Sequence, residues 1–275
     1  MPKHMTDQEL HNHIEKAKKS VSAYLDSLET GAEDQKRQAN LLSYWLQDYV
    51  RLLKKEATFN PAKLIRYKRG SIVKAHLGYR IGSEEGGLHF GVVIDIDNKV
   101  SDSTATIIPL TSVKPSTDIT KLHNSKIYLG NEVYTALQTK LNTAIHNNTN
   151  ELNELQKKVQ ELMSEAPEQG TSEYTNWELT NRGAINGLGQ RIKKLAEKVQ
   201  QQQKMRTELD GMKAGSVALV GQITTISKIR IFDPLYPSDV FSNIRLSSES
   251  MDKLDEKIKE LYTFQRKDAQ GANNS

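Results

Sequence analysis

The chain has 275 residues, no cysteine, 36% hydrophobic and 26% charged residues, a formal net charge of +4 and a mean hydropathy of −0.62. That length accommodates one or two domains with a real core, and the missing cysteines exclude disulfides, thiolate metal sites and thiol catalysis. No apolar run approaches the ~18 residues that span a bilayer and Met1–Gln8 lacks a signal peptide's apolar stretch, so a soluble, cytoplasmic protein with no membrane association is expected.

Residues 6–57 predict two amphipathic helices. Leu10, Ile14, Ala17, Val21, Leu25 and Leu28 recur at spacings of three and four; Gly31 interrupts them, and Leu41, Leu42, Trp45, Leu46, Tyr49, Val50, Leu52 and Leu53 form a second, richer stripe. Asn60-Pro61 ends the helical region, so 1–62 reads as an N-terminal extension. The period then changes. Ile72-Val73, Val92-Val93-Ile94 and Ile107-Ile108 are short β-branched runs bounded by Gly, Asp and Asn, and Lys126–Leu129 is a further strand. Between the first two runs, the glycine-rich segment Gly82–Leu88 leads directly into His89–Ile94. Gly86 and Gly87 permit positive φ and close approach of another molecule, and His89 stands at the mouth of its strand.

Residues 131–166 and about 173–211 are helical again, with Leu152, Leu155, Val159 and Leu162 matched by Ile185, Leu188, Ile192, Leu195 and Val199. Ala166–Gly170 separates them, giving an antiparallel hairpin over 131–212. Strands resume at 216–231. A last helix covers about 249–265, capped by Ser247 or Ser248, with Met251, Leu254, Ile258 and Leu261 inward; 266–275 reads as a disordered tail. Neither 66–130 nor 213–265 has enough strands alone, so the two together form one domain interrupted by the hairpin. Nine Lys and Arg face six Asp and Glu across 66–130, and four face two across 213–246, a modestly basic core compatible with RNA. His4, His76, His123 and His146 lack partners at metal-ligand spacing, and Gly183–Gly189 lacks the preceding strand and spacing of a nucleotide loop. No metal site and no cofactor are expected.

Four segments occur in a telling order. Arg69-Gly70-Ser71-Ile72-Val73 through Gly82-Ser83-Glu84 to Gly87 aligns without a gap to the pattern R-G-D-[IV]-x … G-S-E-Q-G-G. Thr106–Ser112 follows V-x-P-[LI]-T-S, Ser216–Lys228 follows S-x-[VI]-L-x-[DE]-Q-[IV]-R-T-[IV]-D-K, and Met251–Glu256 resembles the start of a final helix. These are patterns of the MazF/PemK (Kid-like) toxins of type II toxin–antitoxin systems, which the chain resembles over about half its length; 1–65 and 131–212 lie outside. The resemblance implies an α+β fold: an SH3-like, CcdB/MazF-type antiparallel β-barrel closed by a C-terminal helix, here with an inserted helical hairpin and N-terminal helices. It implies metal-independent cleavage of single-stranded RNA, in which the 2′-hydroxyl attacks its own phosphate to leave a 2′,3′-cyclic phosphate and a 5′-hydroxyl. It also implies a homodimer and a cognate antitoxin whose tail fills the RNA groove.

Carried onto this chain, the resemblance makes His89, Thr111 and Ser112 the catalytic candidates. Ser83, Gly86, Gly87, Lys114, Gln222, Thr225 and Lys228 are the RNA-binding ones, with loop bracing the alternative role for Gln222 and Glu84 tying down its own loop. Many relatives have Arg where this chain has His89, and some have an acid and an Arg where it has Gly221 and Leu219. The imidazole either does acid–base work directly, or its presence marks a binding surface without turnover, as in CcdB toxins that grip a protein. A third reading gives the helices the leading role, in assembly or in covering the groove in cis.

Overall fold

The computed structural model describes residues 5–264, so the expected tail at 266–275 lies outside the described residues. The fold is mixed α+β. In chain order it runs α1 (Asp7–Glu29), α2 (Glu33–Glu56), β1 (Ile72–His76), β2 (Leu88–Val93), β3 (Thr104–Ser112), β4 (Lys126–Tyr128), α3 (Glu132–Ser164), α4 (Ser172–Asp210), β5 (Ser216–Leu219), β6 (Thr224–Ser227), β7 (Ile231–Asp233) and α5 (Ser248–Tyr262). No helix among the described residues is long and apolar enough to cross a membrane.

The helix starts follow from their caps. Thr6 and Glu9 make a reciprocal capping box on α1, the Thr171 hydroxyl accepts the Tyr174 N–H on α4, and the Ser247 hydroxyl accepts the Ser250 N–H on α5. Glu132, in the first turn of α3, also accepts from the Ser247 N–H and the Ser250 hydroxyl, which fixes the starts of α3 and α5 together.

All seven strands pair antiparallel in the order β4-β5-β3-β2-β1-β7, with β6 also on β3. The nine-residue β3 organises the sheet: Ile107–Pro109 pair with β2, Thr104–Ile107 with β6 and Leu110–Ser112 with β5. Between β5 and β6 the register on β3 slips by three residues, and those residues form the 3₁₀ turn Val220–Gln222. The sheet is open, which corrects the expectation of a closed barrel. Among the described residues β4 pairs only with β5, and β7, three residues long and joined to β1 across a bulge, has no partner on its far side. So short a bulged strand cannot carry the ladder round to β4.

Alternating residues feed two cores, as a pleated strand requires. Ile72, Val92, Ile108 and Leu110 pack on Tyr134, Leu137 and Leu141 of α3 and Leu254 of α5. Val73, Ala75, Val93 and Ile107 pack on Tyr67, Ile226 and Ile231. The base of the α3–α4 hairpin therefore lies in the main core, with Leu209 and Met212 closing it from the other strand of the hairpin. The N-terminal pair is different: α1 buries only Leu28, and α2 buries no residue fully.

Candidate functional site

The loop from Leu77 to Gly87 folds back on itself. Gly87 donates to the Gly78 carbonyl at 2.8 Å, and Leu77 donates to the Gly87 carbonyl at 2.7 Å. Gly82 and Gly87 adopt φ of +63° and +86°, which accounts for glycine at both. Gly86 keeps an ordinary φ, contrary to expectation. Its requirement is steric, since a Cβ there would sit 2.8 Å from the Gly78 carbonyl oxygen.

Gln222 reaches this loop because the register slip lifts Val220–Gln222 out of the ladder. Its carboxamide oxygen accepts the Glu85 N–H at 2.5 Å and its amide donates to the Ser83 carbonyl at 3.1 Å. Both ends of the side chain are spent on the loop, so Gln222 is a brace. Arg80 lies on the same loop, donating from Nε to the Leu77 carbonyl at 3.0 Å, with Nη1 3.6 Å from Glu84. A cleft of about 350 Å³ opens between the loop and the sheet, walled by Arg80, Ser83, Glu85, Pro109, Gln222 and Thr224.

His89 joins that cleft through Glu85. Its Nε2 is 3.0 Å from the Glu85 carboxylate and its Nδ1 3.3 Å from the Leu110 carbonyl. Both ring nitrogens thus face oxygen atoms of the protein. The Leu110 contact sets the imidazole beside Thr111, whose strand pairs with β5 through Thr111–Val217 and Ser112–Ser216. The Thr111 and Ser112 side chains are half-buried, and among the described residues neither hydroxyl makes a hydrogen bond.

The other candidates lie apart. Lys114 is exposed on the loop after β3. Thr225 faces Thr106, their hydroxyls 3.1 Å apart, one residue beyond the cleft wall. Lys228 is buried at 0% exposure: its ammonium donates to the Lys99 carbonyl at 2.7 Å and stands 5.8 Å over the Tyr67 ring. Burial lowers its pKa, partly offset by Asp102 and Asp95. Such a lysine meets no RNA phosphate, which corrects its assignment as an RNA contact.

Sequence reasoning missed Arg80 and Glu85. Glu85 lies four residues before His89, but on a loop such a spacing carries no geometric rule, and Arg80 precedes the glycine pattern without belonging to it.

A helix covers the outer side of the loop. Trp45 of α2 stacks on His76 at 4.7 Å between centroids, and Arg230 lies 5.4 Å over the indole while donating to the Leu77 carbonyl at 2.9 Å. The Gly78 N–H donates to His76 Nδ1 at 3.0 Å, so that nitrogen carries no proton. Burial lowers the His76 pKa; Asp48, 3.6 Å away, opposes that, while Arg230 and Arg51 reinforce it. No family model matches this chain, and no curated protein matches it.

Proposed function

We propose that the chain is a metal-independent endoribonuclease of the MazF/PemK kind, acting on single-stranded RNA in the cytoplasm, with its open sheet a variant of that family's SH3-like barrel. The observation that carries this reading is the Glu85–His89 contact at the cleft, 3.0 Å long, beside Thr111, whose hydroxyl is unengaged among the described residues; Ser112, the next residue of the pleated strand, faces the other side of the sheet. The four ordered sequence segments support it as well.

In this reading the Glu85 carboxylate accepts the 2′-hydroxyl proton as O2′ bonds to phosphorus. His89 gives a proton to O5′ as the P–O5′ bond breaks. The products are a 2′,3′-cyclic phosphate and a 5′-hydroxyl. The proton on Glu85 then returns to His89 across their contact, restoring both groups. Arg80 and Thr111 donate to the non-bridging oxygens, whose charge grows in the transition state. The Arg80 guanidinium supplies a fixed cation that the strand position of His89 does not. A homodimer and an antitoxin tail that fills the cleft belong to the same proposal.

Incubating the purified chain with mixed-sequence RNA in EDTA tests it. Cyclic-phosphate ends are expected, with the rate falling at least ~100-fold in His89→Ala and in Glu85→Gln. Uncut RNA, or a His89→Ala protein as fast as the parent, refutes it.

One observation favours a second reading, a non-catalytic binding module. Leu10, Ile14 and Val21 of α1 and Leu41, Tyr44 and Leu53 of α2 are all exposed, an apolar surface suited to a protein partner. RNA bound but left intact would select that reading.

A further inference from the structure

A second concavity lies on the far side of the glycine loop. It measures about 780 Å³ and runs between α2 and the segment Lys228–Tyr236. Its rim carries Arg51, Lys55, Lys63 and Arg230, against the single carboxylate of Asp48. Arg51 pairs with Asp48 at 2.8 Å and Arg230 is committed to Trp45 and Leu77. Lys55 and Lys63 are exposed and, among the described residues, make no ion pair. Two aromatic side chains line the same hollow while remaining largely in solvent, Phe232 at 63% exposure and Tyr236 at 51%. Large aromatics left bare beside unpaired cations are poorly explained by folding, since burying them would have been favourable.

The hollow and the cleft are neighbours through shared walls. A smaller cavity of about 400 Å³ beneath Tyr44 and Trp45 shares His76 and Leu88 with it, and shares Arg80 and Glu84 with the cleft that holds Glu85. Three neighbouring concavities with common walls are thus lined, in turn, by Gln222 and Thr224, by Arg80 and by Lys63 and Tyr236.

Cations that follow a backbone, interleaved with exposed rings on which bases stack, are what a single strand of nucleic acid requires. We infer that this trough holds the RNA strand flanking the cleaved phosphate, with Lys55 and Lys63 on phosphates and Phe232 and Tyr236 as stacking platforms. The inference rests on the RNA reading of the cleft and extends it to a site supplied by α2 and β7. An acidic peptide would use the lysines but would leave the two rings without a role, so RNA is the better fit.

The test uses the full chain and uncleavable 2′-O-methyl oligonucleotides of about 4 and about 16 nucleotides. Affinities are read by fluorescence anisotropy across a salt series, with RNA cleavage assayed in parallel. The longer oligomer is expected to bind better, and Lys55→Glu/Lys63→Glu should shrink its advantage roughly 10- to 100-fold and flatten the salt slope by about one to two. Phe232→Ala/Tyr236→Ala should shrink the same advantage without changing the slope. Thermal melts of each variant check that the fold is kept; the lysine pair is at the surface and serves if the aromatic pair does not fold. An unchanged length advantage in the lysine variant overturns the inference, as does a glutamate-rich peptide that displaces the long oligomer and binds more tightly. Cleavage with an inert trough refutes only the trough. A working trough with no cleavage refutes only the nuclease reading.

Discussion

Lys228 gives its ammonium protons to the Lys99 and Val100 carbonyls, inside a shell that includes Tyr67. In the sequence it closes a pattern and reads as a phosphate contact; in the fold it pins the Lys99–Val100 turn to β6. Nothing local distinguishes the two, because burial depends on where the chain 129 residues away passes. Lys228→Ala should therefore cost about 2–4 kcal/mol in urea unfolding, from lost packing and two orphaned carbonyls. On the proposed RNA reading, refolded protein should bind RNA as the parent chain does; a stable Lys228→Ala protein with weakened RNA binding would restore the original assignment. Gln222 is the opposite case, since both roles were legible from its position and the register slip decides between them. Glu85 was not legible at all, because its partnership with His89 depends on how the loop closes.

The helices were readable from their periods, and each expected one is present, since i, i+3, i+4 spacing is local information. What covers α2 was not. Its Trp45 stripe meets the sheet at His76 and Arg230 rather than in a core, a contact between residues 31 positions and more apart. That seat should depend on pH. His76 has a lowered pKa in the folded chain, so the unfolded chain binds more protons in the window below about 6.5. The stabilisation is present above that value and is lost as pH falls toward the lowered one, where protonation also displaces the Gly78 N–H from Nδ1. Hydrogen exchange should show α2 losing protection between about pH 7.5 and 5.5, with His76→Phe showing no such trend. Equal protection across that range in the parent chain would mean that the seat does not need a neutral imidazole.

Across the whole molecule, the interruption of the sheet by 131–212 was legible as a change of period, whereas the openness of the sheet was not, because pairing joins distant segments. The hairpin is also less separate than its sequence suggests. Leu137 and Leu141 at its base are fully buried against Ile108 and Leu110, while Leu155 and Leu195 pack farther out between the two helices. Replacing 150–198 with a short turn should keep the cooperative melt within a few degrees, on the order of 1 kcal/mol at this size. Excising 132–212 should abolish folding, each lost core leucine costing about 2–5 kcal/mol. Circular dichroism melts of the two truncations check this, and a well-folded larger excision would show that the sheet stands without α3.

The stack of Trp45 on His76 has an optical consequence. The chain contains two tryptophans, and the other, Trp177, sits beside Tyr174 on α4. An indole stacked on an imidazole with a guanidinium near its ring should be dimmed, and it should brighten when the N-terminal helices lift away. With Trp177→Phe as background, the emission of a single ring would then gauge, without any label, how often the glycine loop is uncovered.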